Sequence, residues 1–450
     1  MNRKPISSSP FLYLILFTLF LSSCGSRETL RGVFKKETPY EAYVASLKTA
    51  KLDETAVGQD WLAEGQTALQ APIPVTLPFK ETGYLPADKP RALGYKVAAK
   101  RGEKLVVSLE MKARQTMQVF MDLFEAGTDP AAELERVASA DTAATTLIYV
   151  IDEDMAHLLR IQPELLRGGT YTITIETQPT LAFPIPGKSS RHIASIWGDP
   201  RDAGARSHEG IDIFAPRGTP VIASVDGIVS RVNETPRGGK VIWLSDRNRG
   251  QNLYYAHLDQ QLVAAGQRVS VGDTLGLVGN TGNAKGTGPH LHFGIYRYGR
   301  GATNPYPYVH QSAAPIPAVK GDATHIGNWV RVSSKMANVR TQPSAKAVLH
   351  TSLSKNTPLQ VVGAANNWYR VRLPDHSEAY IISSLVEGIA KPIAVKKLHQ
   401  ERPLLDEAHP EAGQIDSLPA GAAIPVVAVS GQFDLVRQPD GRLGWVQAAE

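Results

Sequence analysis

His290-Leu-His-Phe-Gly-Ile-Tyr296 alternates strictly in character. On a β-strand successive side chains point to opposite faces, so His290, His292 and Gly294 share one face and Leu291, Phe293 and Ile295 the other. The apolar face belongs in a core. The other face presents two imidazoles over an open surface, with a glycine leaving room beside them. Upstream stands His208-Glu-Gly-Ile-Asp212. Its ends are four residues apart, and an even separation keeps both on one face of an extended segment. Gly210-Ile-Asp-Ile-Phe214 alternates in the same way, with Ile211 and Ile213 opposite Asp212. Two half-buried strands carrying histidine and aspartate predict an antiparallel β-scaffold with a polar site on its open face.

Imidazole nitrogen and carboxylate oxygen are both usual zinc ligands. His208, Asp212 and one histidine of the pair would supply three, leaving a fourth position for water, whose pKa zinc lowers to about 7. A lone histidine in a β-protein is more often a surface or hydrogen-bonded residue. Taken singly, H-x-H and H-x-x-x-D say little. Both together, on alternating strands with a glycine-rich surround, say much more. The glycine-rich run Gly279-Asn-Thr-Gly-Asn-Ala-Lys-Gly-Thr-Gly-Pro289 lacks the G-K-[ST] ending of a phosphate-binding loop. It is expected to form a flexible wall that lets an extended substrate approach the strand carrying His290.

Over roughly residues 190–308 the chain resembles the lysostaphin/LytM-type zinc metallopeptidases, which cut peptide bonds in bacterial peptidoglycan. Gly198-Asp-Pro-Arg201, Arg206-Ser-His-Glu-Gly-Ile-Asp212, Gly218-Thr-Pro-Val221, Tyr255-Ala-His257 and Gly288-Pro-His-Leu-His-Phe293 carry the resemblance. It implies one zinc ion per chain on His208, Asp212 and His292, with His257 and His290 as catalytic histidines. None of these five positions is substituted, whereas degenerate members of the family lose ligands and act as activators of other hydrolases. The implied mechanism is metal-assisted amide hydrolysis, in which His290 and His257 orient or deprotonate the attacking water and steady the oxyanion. Which of the two is the base stays open. Tyr255, two residues before His257, is either a groove residue or an ordinary strand aromatic.

The 450 residues allow about three domains. A net charge of +5, without a Lys/Arg-rich tract, argues against nucleic acid as a partner. Residues 1–24 read as a signal peptide: Arg3 and Lys4 precede the apolar run Phe11–Leu21, too short to span a bilayer. Leu21-Ser-Ser-Cys24 resembles the lipobox of bacterial lipoproteins, which implies lipidation of Cys24, the chain's single cysteine. The expected location is the cell envelope, anchored at a membrane surface and facing the periplasm. Gly25, in place of the aspartate that marks inner-membrane retention in some bacteria, favours the outer membrane.

The predicted fold class is mainly β and multidomain. Residues 25–74 are expected to form a tether and helical spacer, 75–180 a β-sandwich, 190–308 the peptidase domain and 309–325 a Pro/Ala-rich linker. Two small SH3-like β-barrels are expected over 326–388 and 392–450. They form an internal repeat, because Trp368-Tyr-Arg-Val-Arg-Leu-Pro-Asp375 matches Phe433-Asp-Leu-Val-Arg-Gln-Pro-Asp440 at an offset of 65. The resemblance to bacterial SH3-like domains, companions of cell-wall hydrolases, implies binding to wall peptide. Trp368, Tyr369 and Trp445 are then either small-barrel core or an exposed groove. The whole points to a zinc-dependent endopeptidase acting on peptidoglycan for cell-wall remodelling, with an envelope regulatory protein as a further partner. The alternatives are a non-enzymatic peptidoglycan-binding activator of a wall amidase and a secreted zinc peptidase acting on proteins.

Overall fold

The computed structural model describes residues 37–127, 134–312 and 314–448. The signal segment and Cys24 lie outside them. No helix among the described residues is long and apolar enough to cross a membrane.

The helical segment is two helices, Pro39–Thr49 and Ala56–Gln70. Thr38 and Glu41 close a capping box on the first, and Pro39 occupies its first turn. Lys51, in the left-handed region at φ 56°, separates the two. The pair is packed onto the β-sandwich. The buried Trp61 ring meets Phe120, and its Nε1 donates to the Pro163 carbonyl at 2.8 Å.

Two sheets make the sandwich. One orders strands Leu93–Ala99, Met155–Pro163, Val119–Glu125 and Glu135–Ser139 side by side. The other orders Phe79–Leu85, Gly169–Pro179, Glu103–Lys112 and Thr146–Val150. Their inward residues, among them Tyr95, Val97, Leu105, Leu123, Leu159 and Ile173, form one core.

The second sheet does not stop at the sandwich. The outer edge of Phe79–Leu85 pairs with Pro358–Ala365 of the first SH3-like region, Thr82 opposite Ala364 and Gly83 opposite Gly363. The sheet continues through Trp368–Arg372, Glu378–Ile382, Met336–Arg340 and Leu349–Ser354. The SH3-like module thus shares a sheet with the sandwich instead of standing as a small barrel of its own. The edge of Pro358–Ala365 is divided: its first residues pair with Trp329–Val332 of the same module and its later ones with the sandwich, and the strand pairs among the described residues form no closed ring. Trp368 and Tyr380 lie in the sandwich core, not in an exposed groove. Tyr369 and Trp445 are also buried, at 1% and 4% exposure.

The repeat is structural. Strands Pro358–Ala365, Trp368–Arg372 and Glu378–Ile382 recur as Ala423–Ser430, Phe433–Arg437 and Leu443–Gln447, each at an offset of 65. The last three are followed in the sheet by Arg402–Leu405 and Gln414–Leu418, matching Met336–Arg340 and Leu349–Ser354 in order. This second module is likewise an open six-stranded sheet rather than a barrel.

The peptidase region is one antiparallel sheet. Strand His290–Arg297 sits between Ile211–Phe214 and Gln251–Gln261, with Gly239–Asp246 and Gly227–Thr235 beyond. Its buried face carries Ile211, Ile213, Leu253, Tyr255, Leu291, Phe293 and Ile295. The opposite face is the floor of the site.

Candidate active site

Register places the polar side chains. Across the antiparallel pair, Asp212 stands opposite His292 and Phe214 opposite His290. The period of two then puts all four on the open face. His208 lies just before its strand. It is held by a backbone exchange with the preceding loop, its carbonyl accepting from Gly198 N and its N–H donating to the Asp199 carbonyl, both at 2.9 Å.

The inward atoms form a nearly equilateral triangle. His208 Nε2 is 2.9 Å from His292 Nδ1 and 3.1 Å from Asp212 Oδ1, and His292 Nδ1 is 3.0 Å from Asp212 Oδ1. Zinc bonds of about 2.0–2.1 Å at tetrahedral angles set ligand atoms about 3.3 Å apart, so the triangle accepts the ion after a few tenths of an ångström of expansion. His208 Nδ1 donates to the Ile196 carbonyl at 2.9 Å, which turns the lone pair of Nε2 towards the triangle. Burial raises the Asp212 pKa, but hydrogen bonds and charge from His208 and His292 outweigh it and hold the carboxyl well below the usual range. One carboxylate and two imidazoles, nearly closed to solvent, are the donor set that zinc takes.

Beside the triangle, His257 and His290 have ring centroids 5.0 Å apart. His290 Nδ1 donates to the Gly288 carbonyl and His257 Nδ1 to the Thr281 carbonyl, both at 2.9 Å. Carbonyls only accept, so both rings carry their proton on Nδ1 and leave Nε2 as the basic atom when neutral. Burial, with the neighbouring His292 and His290, lowers the His257 pKa to about 4, which keeps the ring neutral at neutral pH. Phe214 stacks on His290 with centroids 4.9 Å apart.

Of its two readings Tyr255 takes that of a strand aromatic: it is fully buried against Phe293, and its hydroxyl accepts from Ser224 N at 3.0 Å. Strict alternation would send His257 to that same buried face. It escapes because its backbone adopts φ 62°, a left-handed conformation that a histidine holds only at a cost of order 1–3 kcal/mol. Tyr254, one residue before Tyr255, faces the site and approaches His292 edge-on, with centroids 5.8 Å apart. The glycine-rich loop does wall the cleft, through Asn283, Ala284 and Thr287. Asn283 N donates to the Arg237 carbonyl at 3.0 Å and Thr281 Oγ1 to the Leu258 carbonyl at 2.9 Å, so the loop is tied to the turn and strand beside it. Its carbonyls at Thr281 and Gly288 set the tautomers of the two histidines.

The cleft above these groups has a volume of about 770 Å³ and is walled by Trp243, Tyr254, Tyr296, Arg237 and Arg206. Every residue lining it falls between Ala194 and Tyr296, so among the described residues neither the sandwich nor the SH3-like modules covers it. Motif spacing alone did not mark Arg201, Phe214 or Tyr254. Only the Gly198-Asp-Pro-Arg201 motif pointed near the first.

Residues 206–305 match the model of peptidase family M23, and residues 334–387 that of the bacterial SH3 domain. The chain thus carries an M23 metallopeptidase domain followed by a bacterial SH3 domain. It is 38% identical over 140 residues to the L-Ala–D-Glu endopeptidase of Bacillus subtilis, covering 28% of this chain and 42% of that protein. It is 42% identical over 93 residues to the peptidoglycan DD-endopeptidase ShyA of Vibrio cholerae, covering 21% of each. Over 88 residues it is 42% identical to the DD-carboxypeptidase/endopeptidase Mpg of Neisseria meningitidis, covering 20% of each. The chain thus spans less than half the length of these relatives.

Proposed function

We propose that this protein is a zinc-dependent endopeptidase that hydrolyses peptide bonds in the stem or cross-link peptides of peptidoglycan. The observation that carries the reading is the His208–Asp212–His292 triangle, open to a cleft into which His257 and His290 face. One zinc ion is assigned to those three side chains. Lewis-acid polarisation of the scissile carbonyl, with a lowered pKa for the attacking water, is the chemistry the ion contributes when bound. His257 and His290 do the rest. Each holds a basic Nε2 towards the cleft, so one takes the proton of the attacking water and then hands that same proton to the leaving amine, while the other accepts a hydrogen bond from the water and orients it. The backbone carbonyls on Nδ1 keep both rings in that tautomer through the cycle. The aromatic wall and Arg237 suit a peptide carrying carboxylates.

Lipidation of Cys24 would tether the enzyme at the periplasmic face of the outer membrane, within reach of the wall. The SH3-like modules are assigned a role in wall contact, and an envelope protein is the expected regulator.

The direct test is digestion of purified sacculi by the soluble chain from residue 25 on, with and without a zinc chelator, the products being read by mass spectrometry. Loss of cross-linked fragments that the chelator abolishes is the expected result and also names the bond. A zinc-loaded protein that releases nothing, even as residues 190–310 alone, would refute the enzyme reading in favour of an activator.

A further inference from the structure

Asp212 offers its two oxygens to different partners. Oδ1 belongs to the triangle, 3.0–3.1 Å from the two imidazole nitrogens. Oδ2 accepts from Arg201 Nη2 at 2.8 Å. The same Nη2 reaches Ser195 Oγ at 2.5 Å, and that hydroxyl donates to Asp199 Oδ2 at 2.7 Å. Asp199 Oδ2 also accepts from Ile196 N at 2.9 Å, and Ile196 is the residue whose carbonyl fixes the His208 tautomer. One short loop, Ser195 to Arg201, therefore holds two corners of the triangle.

We propose that Arg201 is the positioning residue that keeps Asp212 a one-oxygen ligand, so that the fourth metal position stays free for the reacting groups. The proposal rests on the metal reading above. Carboxylates bind metals through one oxygen or two, and an unclamped Asp212 could turn its second oxygen inwards. A charge-assisted hydrogen bond to a half-buried guanidinium is strong enough to oppose that rotation. It also draws charge from the carboxylate, leaving the ion a stronger Lewis acid.

The test is cobalt(II) substitution of the full-length chain purified in detergent. Wild-type protein with one cobalt per chain and intense four-coordinate visible absorption is the baseline; failure to bind cobalt would indict the metal site, not Arg201. Arg201→Leu is expected to bind one cobalt per chain with absorption weakened severalfold, the mark of a fifth ligand atom. Its kcat on wall fragments should fall about 10–100-fold with KM little changed, and Arg201→Lys should recover part of both. A Leu variant with wild-type absorption overturns the proposal. So does one that loses cobalt altogether, because Arg201 would then be needed for the donor set itself. If the Leu variant does not fold, Arg201→Gln is read by the same criteria.

Discussion

Gly210 shows how little room the donor triangle leaves. A Cβ there would stand 2.6 Å from His292 Cε1 and 2.7 Å from both its Nε2 and the Phe293 carbonyl. Gly210→Ala should therefore displace the His292 ring. The expected outcome is a stability loss of about 1–3 kcal/mol from overpacking and zinc binding weakened about tenfold or more, read by thermal unfolding and by chelator competition. The roles assigned to the histidines and the aspartate divide in the same way. Asp212→Ala removes a donor and should abolish both zinc content and turnover. His290→Ala leaves the triangle intact and should keep zinc while losing turnover. Metal analysis of the two purified variants decides this, and a zinc-free His290→Ala protein would overturn the ligand assignment.

Among the elements, the junction of strands Phe79–Leu85 and Pro358–Ala365 is built around a buried charge pair. Glu81, fully buried on the first, meets Arg370 of the neighbouring strand Trp368–Arg372 at 3.1 Å. Its carboxylate also accepts from Tyr95 at 2.9 Å and from Tyr380 at 3.1 Å, while Arg370 reaches Tyr171 and Glu378. Burial pushes the three tyrosines well above their usual range, so they remain donors. Removing one partner of a buried pair strands the other charge and typically costs about 3–5 kcal/mol. Arg370→Ala should lower the unfolding midpoint of the sandwich and the SH3 module together. A variant that melts the SH3 module alone would show that the shared sheet does not couple them.

At the scale of the molecule, the sandwich and first SH3 module share a sheet and a core, while the peptidase domain has a core of its own. The peptidase meets the sandwich through Glu153 of the sandwich, which pairs with Arg300 at 3.0 Å and with Arg297 at 3.6 Å on the peptidase side. Calorimetry should accordingly show two separable transitions in this part of the chain. Zinc at about 1,000 times its dissociation constant should raise only the peptidase transition, by about 4 kcal/mol of added stability. Movement of both transitions together would mean that the interface joins them into one cooperative unit.

What sequence alone determined follows from periodicity and composition. Alternation in 290–296 and 210–214 assigned the buried and open faces correctly, because a pleat has a period of two wherever φ and ψ stay in the β region. The offset of 65 announced two copies of one strand order, because equal patterns of apolar residues and turns build equal hairpins. Tertiary structure alone decided the rest. His257 faces the cleft through one left-handed residue that no periodicity reveals. Arg201 reaches Asp212, eleven positions on in the chain, through a reversal of the chain, and spacing cannot report such a contact. Trp368 stood between small-barrel core and exposed groove, because an aromatic can bury in a core or face a ligand equally well. Only the pairing of one sheet edge with another, a choice between two partners far apart in sequence, put it and Tyr380 in the sandwich core.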